Sequence, residues 1–132
     1  MNLNDLKEMA KRDVSIDRND IVSATVETPM LIHKYLDLFT ANAKSLLNAR
    51  RDLAIKKQEK MLFYKTEYKL KPETAKEMQM LLEGDEELAG MNANIEMRET
   101  IIKFIEETIR TLRNRPYEIK NIIEWQKFTH GG

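Results

Sequence analysis

The sequence of 132 residues contains no cysteine, only three prolines and four glycines, and no surplus of charge, with 22 basic and 22 acidic side chains. Without cysteine there is no disulfide scaffold, no thiolate zinc site and no thiol nucleophile. The scarcity of glycine and proline excludes a low-complexity chain rich in those residues. No apolar run approaches the ~18–20 residues that a membrane-spanning helix needs. The opening segment MNLNDLKEMAKRD alternates charged and apolar residues and does not read as a signal peptide. A phosphate loop is missing too, because Gly84 and Gly90 bracket acidic residues with no Lys-Ser/Thr pair behind them. His33 and His130 are far apart and read as surface residues, not as the i, i+4 pair of a helical zinc site. Adjacent acids such as Glu86-Glu87 and Glu106-Glu107 diverge on a helix instead of converging on one substrate. No nucleophile has an evident base, so neither an enzyme nor a cofactor is expected.

What is present is helix-forming sequence, 42% hydrophobic and enough for one modest core. The pattern predicts an all-α chain of long helices, punctuated at Pro29, Pro72, Gly84, Gly90, Pro116 and the terminal Gly131-Gly132. Thr28-Pro29 has the form of a helix start, with Thr as cap and Pro in the first turn. The string Ile21 to Val26 reads as a short helix or irregular link, and residues 84–90 (GDEELAG) as an acidic connector. From Pro29 a stripe of Ile32, Leu36, Phe39, Ala43, Leu46 and Leu53, flanked by Tyr35, Leu47 and Ala54, has the spacing of a buried face. Carried on to Pro72, this helix would be about 60 Å long. It must project, break or pack against other chains.

A second segment has two seven-spaced rows: Met91, Arg98, Ile105 and Leu112, and Ile95, Ile102 and Ile109, with Ile101 and Phe104 widening the face. That is bundle or coiled-coil packing. After Pro116, Ile119, Ile122, Ile123 and Gln126 share one side, while Trp125 and Phe128 lie elsewhere. So much apolar surface on a short helix calls for a neighbouring subunit. Ile109, Leu112, Ile119, Ile122, Ile123 and Trp125 are the expected oligomerisation residues. By role the chain divides into residues 1–90, which carry the binding surface, and 91–132, which carry oligomerisation.

Charge neutrality hides an order. Residues 44–71 hold nine basic and three acidic side chains, net +6, whereas residues 72–99 hold two basic and eight acidic, net −6. The flanks, 1–43 and 100–132, are −2 and +2. Such a pattern suggests a partner, although two opposed blocks also pair with each other or across subunits. Within the basic block, Arg50, Arg51, Lys56, Lys57, Lys60 and Lys65 accompany Phe63 and Tyr64. Lys57, Lys60, Tyr64 and Tyr68 follow at three and four residues, a ridge joining cations to rings. Single-stranded nucleic acid asks for this mixture, cations for phosphates and rings for stacking. The alternative is that the rings are core and the lysines a solvated face, leaving a structural or adaptor oligomer that binds no DNA. The acidic block either limits non-specific sticking or pairs with a neighbour's basic face.

The chain resembles the UvsY-type recombination mediator family of T4-like phages over nearly its full length. The resemblance rests on Lys11-Arg12-Asp13-Val14 with Ile16-Asp17, on Met30-Leu31 with Lys34 and Leu36, on Lys57 and Lys60 before Phe63-Tyr64, and on Tyr117-Glu118-Ile119-Lys120 leading to Phe128. It implies a ring-like homo-oligomer, hexamer or heptamer, that binds single-stranded DNA in the cytoplasm of the infected bacterial host. It also implies that such a protein helps a RecA-like recombinase replace the single-strand-binding protein, with Lys60, Phe63 and Tyr64 in the DNA-binding stretch and the C-terminal segment in assembly. The family pattern has a basic residue two places before Lys60, where this chain has Gln58. Lys56 and Lys57 stand about 100° or more away around the helix.

Overall fold

The computed structural model describes residues 1–131. These form α1 (Leu3–Val14), α2 (Ile21–Thr66), α3 (Ala75–Glu83), α4 (Glu86–Arg113) and α5 (Arg115–Thr129). The all-α expectation holds, and among the described residues there is no strand. Gly132, the end of the expected oligomerisation region, lies outside them. Packing groups the chain into two units, one of residues 1–41 with those from 101 onward, the other of residues 42–100.

In the first unit, α1 begins where the Asn2 side chain accepts from the backbone N–H of Asp5 at 2.8 Å. It buries Leu6 and Ala10, four residues apart, against Tyr35 of α2 and Ile105, Ile109 and Leu112 of α4. Tyr35, Ile105 and Leu112 are fully enclosed, and each contributes ~1.5–3 kcal/mol of hydrophobic stabilisation. The C-terminal members of the seven-spaced rows read from the sequence, Ile105, Ile109 and Leu112, are therefore this unit's own core. The burial of Ile109, Leu112 and Ile119 within one chain corrects their expected place on an intersubunit surface.

Polar pins close the unit. Asp13 accepts from the Lys34 ammonium at 2.6 Å and from the Tyr35 hydroxyl at 2.8 Å. The loop after α1 is held from α5: the Arg115 guanidinium donates to the Ser15 carbonyl at 2.6 Å, and the Gln126 amide to the Arg18 carbonyl at 3.3 Å. Arg115 is only 3% exposed, and its Nε has no hydrogen-bond partner.

The start of α2 differs from the sequence expectation. Asp20 supplies the cap, its carboxylate accepting from the Ser23 N–H at 3.2 Å and the Ser23 hydroxyl at 2.7 Å. Thr28 is buried inside the helix with its hydroxyl donated to the Ala24 carbonyl, and Pro29 lies in the helix interior. Both sites satisfy local capping rules; packing of Ala24 and Thr28 decides for the earlier one.

The second unit contains the end of α2, the turn after Thr66, α3 and the start of α4. Its core joins Tyr64, Met78, Leu82 and Leu88, with Leu53, Met61, Tyr68 and Leu81 against it. Leu47 and Ala54, expected beside the buried stripe, face solvent. Thr74 caps α3: its hydroxyl accepts from the Glu77 N–H at 3.1 Å, and the Glu77 carboxylate reaches back past the cap to accept from the Glu73 N–H at 2.7 Å. The expected acidic connector is mostly helix. Only Gly84 and Asp85 separate α3 from α4, and Asp85 caps α4 by accepting from the Leu88 N–H at 3.0 Å.

Candidate nucleic-acid interface

Most of the basic block lies on the part of α2 within the second unit, with Lys69 and Lys71 in the turn after it, and the side chains on the helix divide into two sets. Arg51, Lys57 and Lys65 are exposed and make no ion pair. Arg51 and Lys65 share a face with Lys44 and Gln58 at intervals of seven. Lys57 and Lys65 also border a groove floored by Leu53, Met61, Met78 and Leu82.

The other set is already paired. Arg50 meets Glu99 at 2.8 Å. Lys56 meets Glu59 at 3.2 Å and Glu87 at 3.3 Å. Lys60 meets Glu87 at 3.1 Å and Asp85 at 3.3 Å. The alternatives left by the charge pattern resolve here in part, because acids of the −6 block sit on the basic ridge of the same chain.

The aromatic residues divide as well. Phe63, Tyr64 and Tyr68 contact each other edge to face, with ring centroids 5.0–6.1 Å apart. Phe63 is 40% exposed, but Tyr64 is buried and donates its hydroxyl to Asp85 at 2.6 Å. The i, i+4 spacing correctly makes Tyr64 and Lys60 neighbours. It does not make the Tyr64 ring an open stacking platform, because that ring is part of the core.

Asp85 thus holds three groups: the first turn of α4, the Tyr64 hydroxyl and the Lys60 ammonium. The Tyr64 hydrogen bond, then the Leu88 N–H and Lys60, hold its carboxyl below the usual carboxylate range against the opposing effect of burial. Glu87 is also held low, first by Lys60 and then by Lys56. Lys60 is held above the ordinary lysine value by Glu87, with Asp85 adding, and Lys56 by Glu59 and then Glu87. All four groups are charged at neutral pH. The equal and opposite charge of the two blocks gave their pairing as one alternative in the sequence, but not which residues pair, because nothing local links residues 56–60 to 85–87.

Of the expected oligomerisation residues, Ile122 is half-buried, and Ile123 and Trp125 are exposed. Trp125 stacks on Phe128 with centroids 5.7 Å apart, and both rings face solvent, as does Tyr117. Among the described residues, no group of three His, Asp or Glu side chains is placed to hold a metal ion. No helix among the described residues is long and apolar enough to cross a membrane.

Residues 9–132 match the family described as recombination, repair and ssDNA binding protein UvsY. The chain is 21% identical to the recombination protein uvsY of Enterobacteria phage T4 over 136 residues, covering 99% of each. Its fold is similar to crystal structures of the bacteriophage T4 recombination mediator protein UvsY. One superposes with a TM-score of 0.87 at 22% identity, over 98% of this chain and 99% of that one. Another superposes at 0.88 and 21% identity, over 98% of both.

Proposed function

The chain belongs to the UvsY family of recombination, repair and single-stranded-DNA-binding proteins, and on that premise we propose that it is a recombination mediator. As a homo-oligomer it binds single-stranded DNA and helps a RecA-like recombinase displace a single-strand-binding protein, within the infected bacterial cell. The observation that carries this reading is the set of exposed cations Arg51, Lys57 and Lys65, which make no ion pair and lie on the same stretch of α2 as the half-exposed Phe63, though on a different side of it. Cations follow the phosphates and a ring takes a base, with stacking contributing ~1–3 kcal/mol per base. Arg50 and Lys60 flank Lys57 around α2, Lys56 lies farther round, and all three become available when their carboxylate partners yield. Tyr64 supports the surface from beneath.

Each subunit offers few contacts, so affinity depends on several copies engaging one strand. The exposed, stacked rings of Trp125 and Phe128, with exposed Ile123 on another side of α5, supply apolar surface through which copies associate. The assembly then favours the recombinase by binding the strand more tightly in the recombinase-compatible state than in the competitor-covered one. Nucleotide hydrolysis belongs to the recombinase.

The test is recombinase ATP hydrolysis on single strands first covered with single-strand-binding protein. Adding this protein shortens the lag before hydrolysis; an unchanged lag at saturating protein contradicts the mediator role. A second reading, an α-helical adaptor that binds no DNA, is favoured by the internal pairing of Arg50, Lys56 and Lys60. It predicts no strand binding by the intact oligomer.

A further inference from the structure

The carboxylate of Glu87 spans two lysines of the basic ridge, one oxygen 3.3 Å from the Lys56 ammonium and the other 3.1 Å from that of Lys60. Two oxygens of one anion shared between two cations is also how a backbone phosphate would sit there. The two acids on the ridge differ in freedom. The Asp85 side chain is 6% exposed and tied to Tyr64 and to the first turn of α4, so it stays in place. The Glu87 side chain is 51% exposed, and its contacts are to the two lysines. It can swing into solvent at little cost, since exposed ion pairs are weak.

We propose that Glu87 is a specificity-determining residue for the strand, a displaceable stand-in for phosphate that lets a polyanion reach Lys56 and Lys60 and refuses isolated anions. This rests on the single-strand-binding reading above. An isolated phosphate or mononucleotide must displace a carboxylate that is tethered beside the lysines, and so faces a high effective concentration of competitor. A strand first engages open cations, among them Lys57, three residues from Lys60 on α2, which tethers its next phosphates at comparable effective concentration. Glu87 then yields, and Lys56 and Lys60 add to the bound surface. The fixed Asp85 keeps Lys60 oriented meanwhile.

The experiment compares the intact protein with E87Q and with E96Q, which removes the same charge from an exposed position on α4 that makes no ion pair. Binding of a fluorescent single strand of defined length is titrated across salt. Inorganic pyrophosphate is then added as the competing isolated anion, and native mass is recorded for each protein. E87Q should bind the strand ~3–10-fold more tightly at moderate salt, with a log–log salt slope steeper by about 0.7–1.4, as one or two added phosphate contacts require. Pyrophosphate should displace the strand from E87Q at several-fold lower concentration than from the unchanged protein, and E96Q should resemble the unchanged protein at unchanged mass. If all three proteins bind the strand and E87Q matches E96Q in affinity, slope and pyrophosphate sensitivity, the inference is overturned while strand binding stands. If none binds the strand, the underlying reading falls and the inference with it.

Discussion

In the first unit Asp13 accepts from Tyr35 at 2.8 Å and from Lys34 at 2.6 Å; in the second Asp85 accepts from Tyr64 at 2.6 Å and from Lys60 at 3.3 Å. Both are Tyr–Asp–Lys triads that join a core tyrosine to a surface cation. Their surroundings differ. Around Asp13 the core is the larger, and its tyrosine is fully enclosed. Around Asp85 the core is smaller, and a further acid and lysine, Glu87 and Lys56, extend the triad into a chain of charges. The same local chemistry thus serves as a structural pin in one place. In the other it belongs to a surface network of two lysines and three carboxylates, whose ion pairs we propose are exchanged for a strand. A salt bridge says little about its role until the neighbouring charges are counted.

The largest expected effect separates the two cores. Tyr35→Ala should cost ~3–5 kcal/mol of unfolding free energy by chemical denaturation, and Tyr64→Ala about 3 kcal/mol. A larger loss at Tyr64 would invert the comparison. Replacing Trp125 and Phe128 together with Asp should lower the native mass to that of smaller species and weaken strand binding by roughly 100-fold through lost multivalency. Helicity should hold, because both rings face solvent. Unchanged mass would remove α5 as the association face.

The matched lysines give a smaller, sharper contrast. Lys60→Gln should lower strand affinity ~3–10-fold and flatten the salt slope by about 0.7, whereas Lys34→Gln should leave both unchanged. Equal effects would mean that the triads do not differ in role. The smallest effect is in acid. Asp13, Asp85 and Glu87 are all held below their ordinary values of 3.8, 3.8 and 4.5. For Asp13, burial works against the lowering and the hydrogen bonds from Lys34 and Tyr35 outweigh it. A carboxyl favoured as its anion in the fold contributes stability that is complete above its ordinary value and is lost as pH falls through the lowered one. Helicity should therefore be flat from neutrality to about pH 5 and decline below pH 4. A transition centred near pH 6 would contradict the assigned networks.

Much of the fold was legible in the sequence. Ile95, Ile102, Ile105, Ile109 and Leu112 announce the buried face of α4, since a long helix repeats its burial every turn or two. Local rules failed where two places satisfied them equally. Asp20 and Thr28 both offer caps, and only packing chose between them. They failed also where a residue's setting is wholly non-local. Nothing near Arg115 in sequence indicates that its guanidinium is buried on the carbonyl of Ser15. At the candidate interface the residue types and helical spacing were readable, but not which were already engaged. Tyr64 lies on the ridge as expected and turns inward, because the start of α4 returns Asp85 to its hydroxyl.

The central claim is that the open cations of the second unit bind single-stranded DNA, and the most direct measurement is strand affinity of the native oligomer across salt. Neutralising ~4–6 phosphates predicts that log K falls against log [salt] with a slope of about −3 to −4. Absence of binding at ~50 mM salt, or an affinity that does not change with salt, would contradict it.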